Sequence, residues 1–253
     1  MTKSMVKNAH TLTIGGLILV LVLTATPAAS LTGGPGIVQE QGDDAEKLAE
    51  RAADAGETLE EIMNTPDEKI PSWLLERAGC IAVIPKVVKV GFVVGGRRGK
   101  GLLSCKTANG WSRPSFVSLT GGSFGLQIGA EATDFVLVFA SDDAVNNLFG
   151  DKFVLGADAS VAAGPVGRTA EAGTDIKLDH EIYSYSRSKG LFAGVSIEGA
   201  EFAIDEDANE AVYGAAITAR QLLTTAGETP AVVATFSRKL TDLVPTGRAG
   251  QRR

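Results

Sequence analysis

The 253-residue chain is 44% hydrophobic and 21% charged, the composition of an ordinary globular protein with a real core in one large or two small domains. Thirty Gly beside ten Phe, two Trp and three Tyr argue against an all-helical protein, because Gly inside a helix costs about 1 kcal/mol relative to Ala. The net charge is −6, yet Arg77 to Ala130 holds eight Lys or Arg and no Asp or Glu, so a cationic surface facing something anionic is the first functional expectation.

The first 29 residues read as an export signal. Lys3, Lys7 and His10 precede an apolar run from Leu12 to Ala25, and Thr26, Ala28 and Ala29 supply the small residues that a signal peptidase requires. The run is shorter than the roughly 18 apolar residues of a membrane span, with an uncleaved anchor as the alternative. The expected location is therefore periplasmic or secreted, or held at the membrane by that anchor. Residues 30–42 read as a flexible segment.

From Asp43 to Met63 there are eight acidic and two basic residues, with Leu48, Ala52, Ala55, Leu59 and Ile62 at helical spacing. This predicts an amphipathic helix with an acidic outer face, capped by Asp43 or Asp44 and stopped at Asn64-Thr65-Pro66. A short helix is predicted over Pro71–Ala78.

Strands are predicted at Cys80–Ile84, Val88–Gly95, Gly101–Lys106, Ser115–Leu119, Gly125–Ala130 and Phe135–Phe139. Gly95-Gly96-Arg97-Arg98-Gly99 and Asn109-Gly110 read as hairpin tips, and Pro85 and Pro114 as strand ends. Ser141 caps a helical segment to Phe149. Strand-like runs follow at Phe153–Ala163, Ile176–Tyr185 and Leu191–Ile204, then helices at Ala208–Thr225 and Pro230–Leu240 and a basic end at Arg248, Arg252 and Arg253. Ile128-Gly-Ala-Glu-Ala and Leu155-Gly-Ala-Asp-Ala resemble one another as a weak repeat. Cys80 and Cys105 both fall on predicted strands and stand either as a disulfide or as two buried thiols, with export favouring the bridge.

Enzyme motifs are weak. Gly121-Gly-Ser123-Phe-Gly125 matches a nucleophile elbow, but an alternating strand follows Ser123 where a helix is required. The base left after removal of the signal is His180, which shares an alternating face with Ile176, Leu178 and Ile182 and is expected to be packed in the core. Gly95–Gly101 is one residue short of a phosphate loop and has Gly where Ser or Thr must hold magnesium. Asp205, Asp207 and Asn209 lack the Gly and Glu of a calcium loop and read as a solvated acidic turn. Two cysteines with one histidine do not make a tetrahedral zinc site. No cofactor and no nucleic-acid partner is expected.

The ordered set IPSWLLERAGCIAVIP, KVGFVVGGRRGKGLLSC, WSRPSFVSLTGGSFGLQIG, TDFVLVF, LGADASVAAGPVGR and YSRSKGLFAGVSIEGA, from Ile70 to Gly214, resembles the SYLF family. The resemblance implies a non-enzymatic lipid-binding domain, with phosphoinositide and membrane binding in eukaryotic relatives, actin association in some, and export among bacterial members. In the eukaryotic relatives the helix before the core is basic; here the matching Asp43–Met63 helix is acidic. The expected anion-facing residues are therefore Lys86, Lys89, Arg97, Arg98, Lys100, Lys106 and Arg113. Several must converge to matter, since each contributes on the order of 1 kcal/mol at an anionic surface.

The expected architecture is α+β: a Gly-rich antiparallel sheet curved into a barrel or sandwich, with N-terminal and C-terminal helices. Residues 43–225 form the SYLF-like domain and 226–253 a C-terminal helix with a basic tail. The leading expected function is binding of anionic lipid, phosphoinositide-like or other anionic phospholipid head groups, at an envelope membrane surface. A structural or protein-interaction module of the envelope is the alternative, and a Ser123 hydrolase ranks third.

Overall fold

The computed structural model describes residues 35–65, 69–91, 94–124, 129–150, 152–166, 179–188, 191–195, 197–244 and 246. The proposed export segment and the basic tail lie outside them. Helix α1 (Pro35–Asn64) begins eight residues before the expected Asp43, so much of the segment read as flexible is helical, with Pro at the first helical position where its missing N–H costs nothing. Its stripe Leu48, Ala52, Ala55, Leu59 and Ile62 is buried as the spacing predicts. Helix α2 (Ser72–Arg77) follows.

The sheet contains β1 (Cys80–Gly91), β2 (Val94–Thr107), β3 (Gly110–Trp111), β4 (Ser115–Phe124), β5 (Gly129–Phe139), β6 (Lys152–Val154), β7 (Val161–Ala163), β8 (Ile182–Ser188), β9 (Leu191–Gly194) and β10 (Ala200–Ile204). Its strand order is β6-β10-β4-β2-β1-β5-β8-β7, with β3 beside β2 and β9 beside β8. Pairing is antiparallel apart from β7 with β8, which is parallel. Helix α3 (Asp142–Asn147) is capped by Ser141, whose Oγ accepts from Ala144 N at 3.0 Å. Helices α4 (Glu206–Tyr213), α5 (Ala219–Thr224) and α6 (Ala231–Leu243) complete the chain order.

The sheet is curled into a half-barrel, and its inner face proves it. Phe139 of β5 and Phe202 of β10 lie four strands apart in order, about 19 Å on a flat sheet. Their ring centroids are 5.7 Å apart, and Phe153 of β6 stands 5.4 Å from Phe202. Alternation splits the apolar residues into two cores. Ala82, Leu103, Leu119, Leu137 and the three Phe fill the inside of the curl. Val83, Leu102, Phe116 and Val136 face outward against α1 and α6, which pack on each other.

The predicted break between Cys80–Ile84 and Val88–Gly95 is instead a bulge within one strand. Between Ile84↔Phe135 and Val87↔Thr133, Pro85 and Lys86 oppose the single residue Asp134. Lys86 takes a φ of +51°, and its freed N–H donates to Asp134 Oδ1 at 2.8 Å. The Gly95–Gly99 run is likewise no hairpin tip. It lies inside β2, with Arg97 opposite both Lys89 and Gly121 and Arg98 opposite both Val88 and Thr120. Its glycines admit the bulged neighbour: a Cβ at Gly99 would meet Ile84 Cγ2 at 2.9 Å. The β2–β3 hairpin turns at Ala108-Asn109, one residue before the expected Asn109-Gly110, and Gly110, at φ +115°, opens β3 opposite Thr107.

Three long predicted elements are divided. Phe153–Ala163 is β6, a turn with Gly156 at φ +86°, and β7; Leu191–Ile204 is β9, a turn with Gly199 at φ +75°, and β10. Ala208–Thr225 is split by Gly214, at φ +89°, into α4 and α5. The weak repeat dissolves in the same way, since Gly129–Ala132 lies in β5 and Gly156–Asp158 in a turn.

Cys80 and Cys105 face each other in the β1–β2 register and are joined by a disulfide closing a separation of 25 residues. The oxidised protein should weigh two hydrogens less than the reduced one by intact mass analysis. Reduction should lower its stability by about 3 kcal/mol in denaturant titration. Two thiols alkylated without denaturant would refute the bridge.

Candidate functional site

The seven cations do not form one patch, because β2 and the bulged β1 distribute them over two faces and two ends of the sheet. On the outer face, Lys86 Nζ bonds Asp54 of α1 at 2.7 Å, which raises its pKa. Lys100 Nζ bonds Asp205 Oδ2 at 2.8 Å, and the same oxygen takes Arg51 of α1 at 3.1 Å. The Asp205 side chain is only 9% exposed and ties α1 to β2, whereas Asp207 of the same expected acidic turn is exposed. Nearby Asn209 is buried as well, accepting from Phe116 N at 2.8 Å and donating to Ser115 Oγ at 3.0 Å.

Arg98 is exposed on that face, one groove away from Asp205, Glu206 and Asp207, and makes no ion pair with a described residue. Lys89 and Arg97 face inward by alternation. The Arg97 Nε is buried without a hydrogen-bond partner among the described residues. Lys89, Arg97 and Arg98 thus share the end of the sheet where β1 and β2 are joined.

Lys106 and Arg113 belong elsewhere. Arg98 and Lys106 are eight residues apart on one strand, about 26 Å, well beyond the roughly 8 Å screening length of physiological salt. Lys106 Nζ donates to Leu75 O at 2.7 Å and Glu76 O at 3.2 Å, capping α2, and lies 5.8 Å from the centre of the Trp111 ring. Burial holds its pKa below the usual lysine range, opposed by the Glu76 charge. Arg113 stacks 5.9 Å over the ring of Tyr213, whose hydroxyl donates to Pro114 O at 2.5 Å. Burial raises the pKa of that phenol.

A second charged cluster was not expected from sequence. Asp134 accepts from Lys86 N and from Arg187 at 2.9 Å, and Arg187 also bonds Glu61 of α1. Burial pushes the Asp134 carboxyl above its usual range against the Lys86 N–H, which favours the charged form. The cluster joins the bulge, β8 and α1. Its members are separated by 48 to 126 residues, so no local pattern announces it.

Ser123 lies in β4 opposite Gly95, and the strand continues through Phe124, so no elbow turn presents it. His180 precedes β8, whose first residue pairs with Phe139 at the Cys80 end of the sheet, on the order of 30 Å from the Ser123 end by strand rise. The two cannot share a proton. His180 is exposed, edge-on to Tyr183 at 6.3 Å between ring centroids, not packed as expected; Ile176 and Leu178 lie outside the described residues.

The described residues define an α+β half-barrel packed on its outer face by an N-terminal and a C-terminal helix, with ion pairs tying α1 to the sheet. Residues 120–243 match the family model described as "Ysc84: Las17-binding protein actin regulator". The chain is 40% identical over 162 residues to Protein YSC84 of Saccharomyces cerevisiae, covering 62% of this chain and 34% of that protein. It is equally identical, over the same length, to LAS seventeen-binding protein 3 of that yeast. It is 35% identical over 169 residues to SH3 domain-containing YSC84-like protein 1 of Homo sapiens, covering 66% of this chain and 48% of that protein. The chain belongs to the SYLF, or Ysc84, family, and spans between a third and a half of these relatives. All seven cations precede the segment that the family model matches.

Proposed function

We propose that this domain is a non-catalytic binding module that docks on anionic lipid through the end of the sheet carrying Lys89, Arg97 and Arg98. The single observation behind this reading is Arg98, an exposed cation without an ion pair among the described residues, one residue from the unpartnered Arg97 Nε in a run free of acids. With the N-terminal segment read as an export signal, the surface would be that of an envelope membrane.

Arg98 is the residue to change, because Lys100 is committed to Asp205 and a Glu there would face a buried carboxylate. Reversing one charge at an anionic surface is worth about 2 kcal/mol, roughly thirtyfold in affinity. Arg98→Glu should weaken co-sedimentation with phosphatidylcholine–phosphatidylserine vesicles at low salt by that order while leaving the melting temperature unchanged. Equal binding by the variant would remove the site.

A second reading follows from the family description, which names a protein partner and actin regulation. In that reading the segment from β4 to α6 meets a protein, and co-sedimentation with actin filaments, insensitive to Arg98→Glu, would favour it.

A further inference from the structure

A groove of about 550 Å³, the size of a small-molecule site, runs over the outer face of the sheet beside Arg98. Its floor is a block of four side chains, Arg98 opposite Thr120 and Lys100 opposite Ser118, which alternation turns to the same side as Leu102 and Phe116. Its wall is the turn into α4, Asp205-Glu206-Asp207. Lys100 and Asp205 neutralise one another here, with Arg51 on the same oxygen. The next carboxylate on this face, Glu201 opposite Thr120, is held by Lys152 at 3.0 Å.

These pairings leave unmatched charge of both signs. Arg98 has no carboxylate, and the exposed Glu206 and Asp207 have no cation, among the described residues. The hydroxyls of Ser118 and Thr120 likewise have no hydrogen-bond partner there. A simple anion in the groove would meet Glu206 and Asp207, and a simple cation would meet Arg98. Like charges repel at such range as strongly as opposite ones attract, so a ligand of one sign gains little. A ligand carrying both signs satisfies both walls.

The order of the charges narrows the choice. Arg98 is level with Thr120, on the side of the groove nearer the end where β1 joins β2. Asp205, whose N–H donates to Phe116 O at 2.9 Å, is level with a residue four positions further from that end, about 13 Å by strand rise. Seen from the end that the lipid reading sets against a bilayer, the cation comes first and the carboxylates lie behind it. A headgroup with phosphate next to its glycerol and an ammonium at its outer tip has the complementary order.

We propose that this groove takes the phosphoethanolamine group of phosphatidylethanolamine, with its phosphate on Arg98 and the Ser118 and Thr120 hydroxyls and its ammonium on Glu206 and Asp207. This rests on the lipid reading above and adds that the headgroup is chosen for carrying both charges. A primary ammonium offers three N–H donors to carboxylates, whereas the quaternary ammonium of phosphatidylcholine, in a headgroup of the same net charge, offers none.

The test compares vesicles of phosphatidylcholine alone, of equal parts phosphatidylcholine and phosphatidylethanolamine, and of three parts phosphatidylcholine to one part phosphatidylglycerol, which is anionic and has no amine. Wild type should bind the ethanolamine vesicles about tenfold more tightly than phosphatidylcholine alone, the value of one charged hydrogen bond. The double variant Glu206→Gln, Asp207→Asn should lose that preference with an unchanged melting curve. It should also bind the glycerol vesicles at least as tightly as wild type, because two negative charges are gone. Soluble glycerophosphoethanolamine should compete only when in large excess over vesicle lipid; competition at equal concentration would assign the groove to a free ester and overturn its bilayer source. Wild type that binds the glycerol vesicles but does not distinguish ethanolamine from choline, or a double variant that keeps the preference, overturns the groove and leaves anionic docking standing. Wild type that binds neither the ethanolamine nor the glycerol vesicles overturns the lipid reading itself, and the groove with it.

Discussion

Gly101→Ala should cost at least about 3 kcal/mol and leave little folded protein at 37 °C. Between Val83↔Leu102 and Val88↔Arg98, β1 supplies four residues and β2 three, so the bulge pushes the β1 backbone toward Gly101. A Cβ there would stand 2.7 Å from Ile84 Cα and closer still to Val83 O. Overpacking usually costs about 1–3 kcal/mol because side chains can shift. Here the obstacle is the backbone of a strand near the centre of the sheet, held on its other side by β5, and it cannot yield without opening the curl. Gly122→Ala is the control, since its Cβ would meet nothing within 4 Å. Urea titrations followed by circular dichroism should separate the two variants clearly, and coincident curves would show that the approach at Gly101 is not tight.

Asp205→Ala should cost about 2–4 kcal/mol, the range for stripping a buried charge pair of one partner, reduced because Lys100 is 38% exposed. It leaves Arg51, only 18% exposed, without its carboxylate beneath α1. Lys100 would then be free to face solvent, so the variant should bind anionic vesicles more tightly per folded molecule even as it unfolds at lower urea. Unchanged stability would mean that the node contributes nothing beyond what water already gives these charges.

Local chemistry carried much of the fold. The stripe from Leu48 to Ile62, the Ser141 cap, the β2–β3 hairpin to within one residue and the Cys80–Cys105 pairing are all decided by residues near one another or by strand alternation. The Gly95–Gly99 run misled because a glycine cluster has two physical uses, reversing the chain and admitting a neighbouring backbone, and sequence does not distinguish them. Phe153–Ala163 and Leu191–Ile204 read as unbroken strands because apolar residues flank Gly156 and Gly199, whose positive φ shows only in three dimensions. The candidate site was legible as a charge excess and no further. Which of seven cations are consumed by Asp54, by Asp205 or by the α2 carbonyls depends on partners 30 to 105 residues away.

The packing of α1 on α6 constrains how the protein can be made. Gly56 brings the two helices close, with an added Cβ 3.6 Å from Phe236 Cα, and Lys239 reaches Glu60 across the contact. Asn64 and Ala231 are more than 160 residues apart, so a ribosome adding about 5–20 residues each second delivers the second helix on the order of ten to thirty seconds after the first. During that wait Leu59 and Ile62 have no α6 to cover them, and the eight carboxylates of the Asp43–Met63 segment keep the nascent helix in solution by mutual repulsion. Chains arrested before Ala231 should be cut by protease within α1, while chains arrested with α6 fully emerged should resist.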